Sequence, residues 1–368
     1  MSATNQRVQA LVEELRLREV NRLLVPGGAN LRYLTGFTGS NGLALIDAGA
    51  GSEHRFFTDF RYATQSAEQV PDLFEREIVT ADILEALARV LGADALRGEH
   101  RLGFDDAATS VKQHARLGEL VGTGWELVGC SGVVEALREV KDAAEIAAIA
   151  AACELADEAL RVTLDGGLVG RREREVAIEL ELAMRRLGAQ APSFPSIVAS
   201  AEHGALPHAE PRDVAIARDS LVTIDWGAYL DGYCSDCTRT FATGELSEQA
   251  KAAYALVLSA QEAALAAVTA GVSGREVDSV AREAIEDAGH GEHFGHGVGH
   301  GVGLEIHEGP RLSRTAGEQP LRVGNVVTVE PGVYLPGELG VRIEDLVVVG
   351  EHGCERLTRL PKHLQTID

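Results

Sequence analysis

Residues 224–240 read IDWGAYLDGYCSDCTRT, and this stretch decides how the second half of the chain folds. Two runs rich in aromatic and β-branched residues flank Asp231-Gly232, a dipeptide suited to the positive φ angles of a tight hairpin turn. A two-residue loop would set Asp225 opposite Thr238, whereas a four-residue loop would set Asp225 directly opposite Asp236. Either register places the two carboxylates on one face of the sheet, roughly 5–8 Å apart.

Two carboxylates this close are unfavourable unless one of them is protonated or a cation lies between them. The hairpin is therefore a first indication of a metal site. The alternative is a solvated face that carries two ordinary surface acids, and the hairpin alone leaves both interpretations open.

Length, charge and apolar content indicate the number of domains, the kind of partner and the location of the protein. A chain of 368 residues exceeds what one ordinary core supports, so two domains are expected. A formal charge of −22 argues against nucleic acid or an anionic membrane as partner. The sequence contains no 18-residue apolar run and no signal-peptide pattern near Met1, which predicts a cytoplasmic protein.

The five cysteines are scattered along the chain, so a framework of disulfides is not expected. Cys234 and Cys237 have the spacing of a zinc or redox pair. Residues three apart on a strand point to opposite faces, however, and no second such pair completes a tetrahedral site. We interpret both as small hydrophobic residues of a strand.

Hydrophobic periodicity predicts an alternating α/β unit at the start of the chain, followed by a helix-rich unit that closes with strands. The first unit has predicted helices at 5–20, 59–69, 81–92 and 109–120, and predicted strands at 22–25, 43–47, 55–58, 102–104 and 125–129. The second has predicted helices at 142–164, 171–187, 247–270 and 275–288. We place the boundary between residues 132 and 133.

The segment 290–308 reads HGEHFGHGVGHGVGLEIHE, with glycine at every second position from 295 to 303. Such a backbone permits close approach to a ligand or to another strand. It matches neither a phosphate-binding loop nor the HExxH motif. His296 and His300 are spaced to share one face of an extended chain, although a polar loop is the alternative.

Two glutamates occur at or inside apolar strand patterns: Glu330 in VVTVEPGVY (326–334) and Glu344 in GVRIEDLVVV (340–349). A buried carboxylate is costly unless it is paired or bound to a metal, and Arg342 shares the predicted face of Glu344 as a candidate partner. Singly, each glutamate resembles an edge or ion-paired residue. Together with two aspartates and a histidine, they suit two divalent ions of the Mn²⁺, Co²⁺ or Zn²⁺ type.

The order Asp225, Asp236, His300, Glu330, Glu344, in the contexts IDWGAYLDGYCSDCTRTF, GHGVGLEIHE, VTVEPGVY and GVRIED, closely resembles the M24 "pita-bread" metallopeptidases. Within that family the match is to the Xaa-Pro dipeptidase and Xaa-Pro aminopeptidase branch. The resemblance implies an α/β creatinase-like N-terminal domain over 1–132 and an α+β pita-bread catalytic domain over 133–368. It also implies that these five residues hold two divalent metal ions.

The same resemblance assigns roles around the metals. His208, in LPHAEP, matches a histidine that supports the substrate, and His296 and His307 match histidines near the ligand histidine. Arg311 and Arg342 match arginines that orient the ligands or the substrate carboxylate. Glu330 would also carry a proton, with His307 and His208 stabilising or positioning the substrate. The residues Ala209-Glu210 depart from the family pattern, and His203, His290 and His293 have no matched role and are expected to be surface polar residues.

The implied reaction is hydrolysis of the bond between an N-terminal residue and proline, in a proline-containing di- or oligopeptide. An Xaa-Pro dipeptidase, or prolidase, is favoured, and an Xaa-Pro aminopeptidase acting on longer peptides is the alternative. A creatinase-like non-metal hydrolase and a catalytically inactive pita-bread binding module are more remote alternatives. The resemblance further implies a homodimer.

Overall fold

The structure is a computed structural model that describes residues 3–49, 53–95 and 100–368. The chain divides into two compact units, Met1–Arg138 and Glu139–Asp368. Each unit is described below by itself.

The first unit is an α/β domain, as predicted, built on a mixed sheet in the strand order β4-β3-β2-β1-β5-β6. Its strands are β1 (Arg22–Pro26), β2 (Gly42–Asp47), β3 (His54–Asp59), β4 (Phe74–Val79), β5 (His100–Phe104) and β6 (Trp125–Gly129). Its helices are α1 (Ala3–Leu17), α2 (Ala29–Thr35), α3 (Ala63–Gln69), α4 (Ile83–Ala95), α5 (Val111–Val121) and α6 (Val133–Arg138). Strand β1 pairs in parallel with β5 and antiparallel with β2. Leu45, Phe57 and Leu102 are fully buried between sheet and helices.

The predicted boundary at 132/133 differs from the observed division, because α6 belongs to the first unit. This short helix packs against α1 and α2. Its residues also bond to Asn30: the Asn30 amide donates to Glu135 at 2.6 Å, and Arg138 donates to the Asn30 side-chain oxygen at 2.8 Å. Contacts over a separation of about a hundred residues leave no local signal in the sequence.

The helices of the second unit form two packed pairs, and their ends follow the sequence closely. They are α7 (Ala143–Leu164) with α8 (Glu173–Leu187), and α9 (Glu248–Ala267) with α10 (Gly274–Asp287). Asp142 caps α7, accepting hydrogen bonds from the backbone N–H groups of Ala144 and Glu145. Ser273 caps α10 in the same way.

The strands of the second unit form several small sheets around the helix pairs. They are β7 (Ala191–Pro192), β8 (Ile197–Ser200), β9 (Leu221–Trp226), β10 (Ala228–Leu230), β11 (Tyr233–Cys234), β12 (Cys237–Ala242), β13 (Gly299–Gly301), β14 (Glu308–Leu312), β15 (Val326–Val329), β16 (Gly332–Leu335), β17 (Leu339–Arg342), β18 (Asp345–Gly350) and β19 (Gly353–Arg356). The sheets run β12-β9-β8, β11-β10-β7, β14-β13-β15-β18-β19 and β16-β17. The α+β class predicted for this unit is confirmed.

The hairpin of residues 224–240 has the two-residue loop. Asp231 and Gly232 have φ angles of 48° and 88°, as a type I′ turn requires. Strands β9 and β12 pair so that Asp225 lies opposite Thr238. Of the two registers that the sequence left open, the structure thus has the one with Asp231-Gly232 as the loop.

The hairpin is interrupted at Gly227, between β9 and β10. A Cβ atom added there would lie 2.0 Å from the carbonyl oxygen of Ser235, so only glycine allows this approach of the two backbones. The inner and outer halves of the hairpin consequently belong to different sheets. The interruption lies between Asp225 on one arm and Asp236 on the other.

The hairpin is anchored to the helices by Trp226, which is fully buried and whose indole N–H donates to the carbonyl oxygen of Ala156 at 2.9 Å. Cys234 and Cys237 are buried thiols on the same hairpin. Burial raises the pKa of Cys234 to about 12, so this thiol is protonated and unreactive at neutral pH. In the described part of the chain, no helix is long and apolar enough to cross a membrane.

Candidate metal centre

Five side chains from different strands converge in the second unit. Asp225 lies on β9, Asp236 directly precedes β12, His300 lies on β13, Glu330 directly follows β15 and Glu344 directly precedes β18. One carboxylate oxygen each from Asp225, Asp236 and Glu344 lie within 4.8 Å of one another. The Nε2 atom of His300 lies 3.5 Å from Asp236 and 3.4 Å from Glu330. The structure thus brings together all five residues for which the sequence predicts metal binding.

Three of the carboxylates lie in surroundings that favour the protonated form over the ionised form. Asp236 and Glu344 are 5% and 1% exposed. Burial, followed by the repulsion of the neighbouring carboxylates, raises the pKa of both groups well above the usual range. Burial likewise raises the pKa of Glu330 to about 8, partly offset by Arg342. Such clusters are stabilised either by protons or by cations.

Two buried oxygens in the cluster point to a cation. Among the residues that the structure describes, Asp225 Oδ1 and Glu344 Oε1 have no hydrogen-bond partner. Their companion oxygens are bonded: Arg342 donates to Asp225 Oδ2 at 2.7 Å, and Thr238 donates to Glu344 Oε2 at 2.8 Å. A buried carboxylate oxygen without a partner is costly, and a divalent ion would satisfy it. The donor set therefore fits a metal.

His300 is oriented as a neutral ligand. Its Nδ1 lies 3.0 Å from the carbonyl oxygen of Gly301, which can only accept, so Nδ1 carries the hydrogen and Nε2 presents a lone pair. Burial lowers the pKa of His300 to about 4, which keeps the ring neutral. The lone pair thus faces the oxygens of Asp236 and Glu330, an arrangement that needs a proton or a cation between them.

The predicted partner of Arg342 was wrong. Arg342 shares no ion pair with Glu344 and binds Asp225 instead. Strand β17 ends at Arg342 and β18 begins after Glu344, so the alternation of side chains along one strand does not extend across these residues. Thr238 and Thr328, which bond to Glu344 and Glu330, carry no signal in the sequence beyond their places in the strands.

Arg342 and His296, both predicted to contact substrate, are joined through Tyr334. Arg342 donates to the Tyr334 hydroxyl at 3.0 Å, and that hydroxyl lies 2.8 Å from Nε2 of His296. Nδ1 of His296 lies 2.8 Å from the Gly297 carbonyl oxygen, so both ring nitrogens have partners within the protein. Arg342 is buried and binds Asp225, and half-buried His296 is linked to it through Tyr334, a functional candidate that the sequence did not reveal.

The other three predicted substrate residues, His208, His307 and Arg311, are exposed. The His307 ring lies edge-to-face against His300, with 4.4 Å between ring centroids. Partial burial of the ring, followed by the positive charge of Arg311, lowers the pKa of His307. These side chains therefore lie near the metal centre on its accessible side, as a substrate-binding role requires.

The glycine-rich segment that leads to His300 is held by a buried ion pair on α10. Arg282 bonds to Asp278 at 2.7 Å and donates to the carbonyl oxygens of Phe294 and His296, at 3.0 and 2.7 Å. Asp278 accepts from the backbone N–H of Val298 at 3.0 Å. The i, i+4 spacing of the pair resembles an ordinary surface pair, so the sequence does not reveal this function.

The expectation that His203 is a surface residue is wrong. It is 8% exposed, and its Nδ1 lies 3.0 Å from Glu173, a residue distant in the sequence. His290 and His293 are half-buried, with their Nδ1 atoms 3.2 Å apart.

Comparison with known families matches both units. Residues 147–351 match the model of metallopeptidase family M24, and residues 7–140 match the creatinase/prolidase N-terminal domain. An Xaa-Pro dipeptidase of Pyrococcus furiosus is 34% identical to the chain, over 98% of this chain and 99% of that protein.

Two solved structures share the fold across nearly the whole chain. The Xaa-Pro dipeptidase from Bacillus anthracis has a TM-score of 0.93 and 37% identity, covering 99% of both chains. The X-Pro aminopeptidase from Thermotoga maritima has a TM-score of 0.87 and 37% identity, covering 96% of this chain and 99% of that one.

Proposed function

The chain belongs to metallopeptidase family M24, and from this premise we propose that it is a metal-dependent Xaa-Pro dipeptidase. The reaction is hydrolysis of the bond between an N-terminal residue and a following proline. The observation that carries the proposal is the pair of buried, unpartnered oxygens of Asp225 and Glu344, set among three further candidate ligands.

The cofactor is a divalent metal, as membership of the family implies. We propose two ions, of the Mn²⁺, Co²⁺ or Zn²⁺ type, held by the following residues: Asp225, Asp236, His300, Glu330 and Glu344. When bound, the ions would supply Lewis acidity towards the scissile carbonyl group and the attacking water. Carboxylate-rich sets with one imidazole suit such ions.

The protein's own groups would orient the substrate and move the proton. Glu330, whose Oε1 accepts from Thr328 at 3.1 Å, is the proposed carrier of a proton to the proline nitrogen. His307 and His208 would stabilise charge on the scissile carbonyl oxygen or position the proline ring. Arg342 and Tyr334 would fix the orientation of Asp225.

The length of the substrate is the finer part of the proposal. A dipeptidase needs a cation opposite the carboxylate that directly follows proline, and exposed Arg311 is the proposed group. The names of the relatives from P. furiosus and B. anthracis support this choice. The T. maritima structure, named an X-Pro aminopeptidase, is equally identical to the chain and keeps a second candidate activity open to test.

A homodimer and a cytoplasmic location belong to the same proposal. The homodimer is supported by the resemblance to the M24 branch. Sedimentation of the purified protein would test the first, and fractionation of cells the second.

Activity on two substrates tests the proposal directly. Purified protein is treated with a chelator, reloaded with Mn²⁺ and offered Ala-Pro and Ala-Pro-Ala. We expect hydrolysis of Ala-Pro that the chelator removes and Mn²⁺ restores. Asp236→Ala is expected to lower kcat/KM roughly 100-fold or more, because it removes a ligand. Asp231→Asn, an exposed acid of the same hairpin, is the matched control.

Three results would contradict the proposal, and each would favour a different alternative. Full activity after removal of metal would contradict a metallopeptidase and favour a non-metal hydrolase. Preference for Ala-Pro-Ala would indicate an aminopeptidase. Failure to cleave either peptide in the metal-loaded protein would favour a binding module.

A further inference from the structure

Glu173, the first residue of α8, occupies an unusual position for a carboxylate. It is fully buried. Its Oε1 accepts from the backbone N–H and hydroxyl of Ser200, at 2.9 and 2.7 Å. Its Oε2 accepts from the backbone N–H and Nε of Arg212, at 3.0 and 3.1 Å, and Arg212 Nη2 reaches Oε1 at 3.1 Å. One carboxylate thus joins two points that lie twelve residues apart in the sequence.

The residues between these points, 201–211, form what we term the His208 segment. His203, inside it, provides a further contact to Glu173, with 3.0 Å between Nδ1 and Oε2. Burial alone would raise the pKa of Glu173, but the hydrogen bonds from Arg212 and Ser200 lower it to about 2. The carboxylate is therefore ionised at neutral pH, and each of its bonds is charge-assisted.

The His208 segment is also bonded to Arg342, the arginine that binds the candidate metal ligand Asp225. Arg342, which binds Asp225, also donates to the carbonyl oxygen of Pro207 at 3.1 Å. The backbones of Gly204 and Gly340 lie in close contact. A Cβ atom added to Gly340 would lie 1.7 Å from the carbonyl oxygen of Gly204. His208, the next residue after Pro207, is exposed. It directly follows the residue whose carbonyl oxygen accepts from Arg342, which places it next to the arginine that binds Asp225.

We propose that Glu173 is a positioning residue for substrate binding. Its ionised carboxylate fixes both ends of the His208 segment, and thereby sets the place of His208 beside the metal centre. The inference rests on the proposed peptidase function and deepens it. Since the hydrogen bonds of Glu173 go to Ser200, His203 and Arg212 and not to the proposed metal ligands, its loss should weaken binding of the dipeptide more than it slows turnover.

The test uses Glu173→Gln, which keeps the shape of the side chain and removes its charge. A glutamine cannot accept all these hydrogen bonds, and its amide group would face the donors of Arg212 and Ser200. We expect KM for Ala-Pro to rise about tenfold and kcat to change by less than about threefold, with the Mn²⁺ content unchanged. Glu175→Gln, on the same turn of α8 but exposed, is the matched control and should behave as the wild type.

A double-mutant cycle distinguishes positioning of His208 from a general loss of structure. If Glu173 acts through His208, adding Glu173→Gln to a His208→Ala variant should raise KM by less than about twofold. If the double variant instead showed the full product of the two single increases in KM, the two residues would act independently and the proposal would be overturned. An unchanged KM for the single variant Glu173→Gln would also overturn it.

Hydrogen exchange gives a readout that needs no activity. In Glu173→Gln, amides of the His208 segment should exchange at least about tenfold faster, with α9 and α10 unaffected. Arg212→Met removes the two side-chain hydrogen bonds from Arg212 to Glu173, at a side chain that is 35% exposed, and serves if the first variant does not fold. If the wild type fails to cleave Ala-Pro, the proposed peptidase function is wrong. If hydrogen exchange of the His208 segment is unchanged in both variants, Glu173 does not fix that segment.

Discussion

Replacing Asp236 by asparagine is expected to stabilise the metal-free protein and to destabilise the metal-loaded one. In the absence of a cation, the clustered oxygens of Asp225, Asp236 and Glu344 repel one another. At their limiting separation of 4.8 Å and an effective dielectric constant of about 20, each pair of full charges repels by about 3.5 kcal/mol. Shared protons already relieve part of this repulsion, so the expected net gain in unfolding free energy is about 1–3 kcal/mol.

With metal bound, the sign reverses, because an amide is a weaker ligand than a carboxylate and carries no charge. The assay is thermal unfolding of wild type and Asp236→Asn, each in chelator and in saturating Mn²⁺. In chelator we expect Tm to rise by roughly 2–12 °C, given about 2–4 °C per kcal/mol for a unit of this size. In Mn²⁺ we expect a large part of the metal-induced rise in Tm to disappear.

The matched control is Asp231→Asn, which makes the same chemical change in the same hairpin at an exposed turn position. It should leave Tm nearly unchanged in both solutions. The reasoning would be refuted if Asp236→Asn lowered Tm in chelator, because the cluster would then not be repulsive. An equal effect of Asp231→Asn would show that the stabilisation has nothing to do with the convergence of charges.

Three further predictions follow from the same centre. The metal-free protein should lose stability as pH rises from about 5 to 8, and Glu330→Gln should flatten this slope in chelator, as measured by urea unfolding. Arg342→Met removes the ion pair of Asp225 and should weaken Mn²⁺ binding about 10–100-fold in calorimetric titration. Asp278→Asn leaves the buried charge of Arg282 uncompensated and should lower the unfolding free energy by about 3 kcal/mol, measured in the metal-loaded enzyme.

The sign of the pH effect follows from the proton count. Burial raises the pKa of Glu330 to about 8 in the folded chain, whereas an unfolded glutamate has a pKa near about 4.3. Between these values the folded state holds a proton that the unfolded state has released, so stability falls as pH rises. A steeper slope in Glu330→Gln would contradict this account. Mn²⁺ affinity unchanged in Arg342→Met, or wild-type stability in Asp278→Asn, would contradict the other two.

Local chemistry was sufficient to predict the parts of the fold that depend on neighbouring residues. Asp231-Gly232 predicted the hairpin turn and both carboxylates on one face, whereas the register with Asp225 opposite Thr238 was one of two alternatives until the structure was known. Alternating and helical patterns located most of the strands and helices, but they did not reveal α2, α6 or β4 of the first unit. The two aspartates and two glutamates could be singled out as acids in strand contexts where burial needs an explanation, whereas the choice of His300 and the assignment of all five as ligands came from the resemblance to the M24 family.

Contacts between distant segments could not be predicted in this way. Arg342 binds Asp225 across 117 positions, and Arg212 binds Glu173 across 39. Both arginines read locally as ordinary charged residues, and the burial that gives them their function arises only when the sheets assemble. Tyr334 was likewise indistinguishable from a core aromatic residue until the structure showed its hydroxyl between Arg342 and His296.

At Gly227 the geometry of the backbone alone is a requirement of the site. It offers no functional atom, yet any side chain there would collide with Ser235 and separate the arms that carry Asp225 and Asp236. A saturation mutagenesis screen for growth on proline-containing peptides should therefore score Gly227 as intolerant as the acids on either side of it. Measuring protein abundance in the same screen would separate the variants of Gly227 from those of the two acids. Neutralising an acid leaves a folded chain, whereas a side chain at Gly227 displaces the backbone and prevents folding.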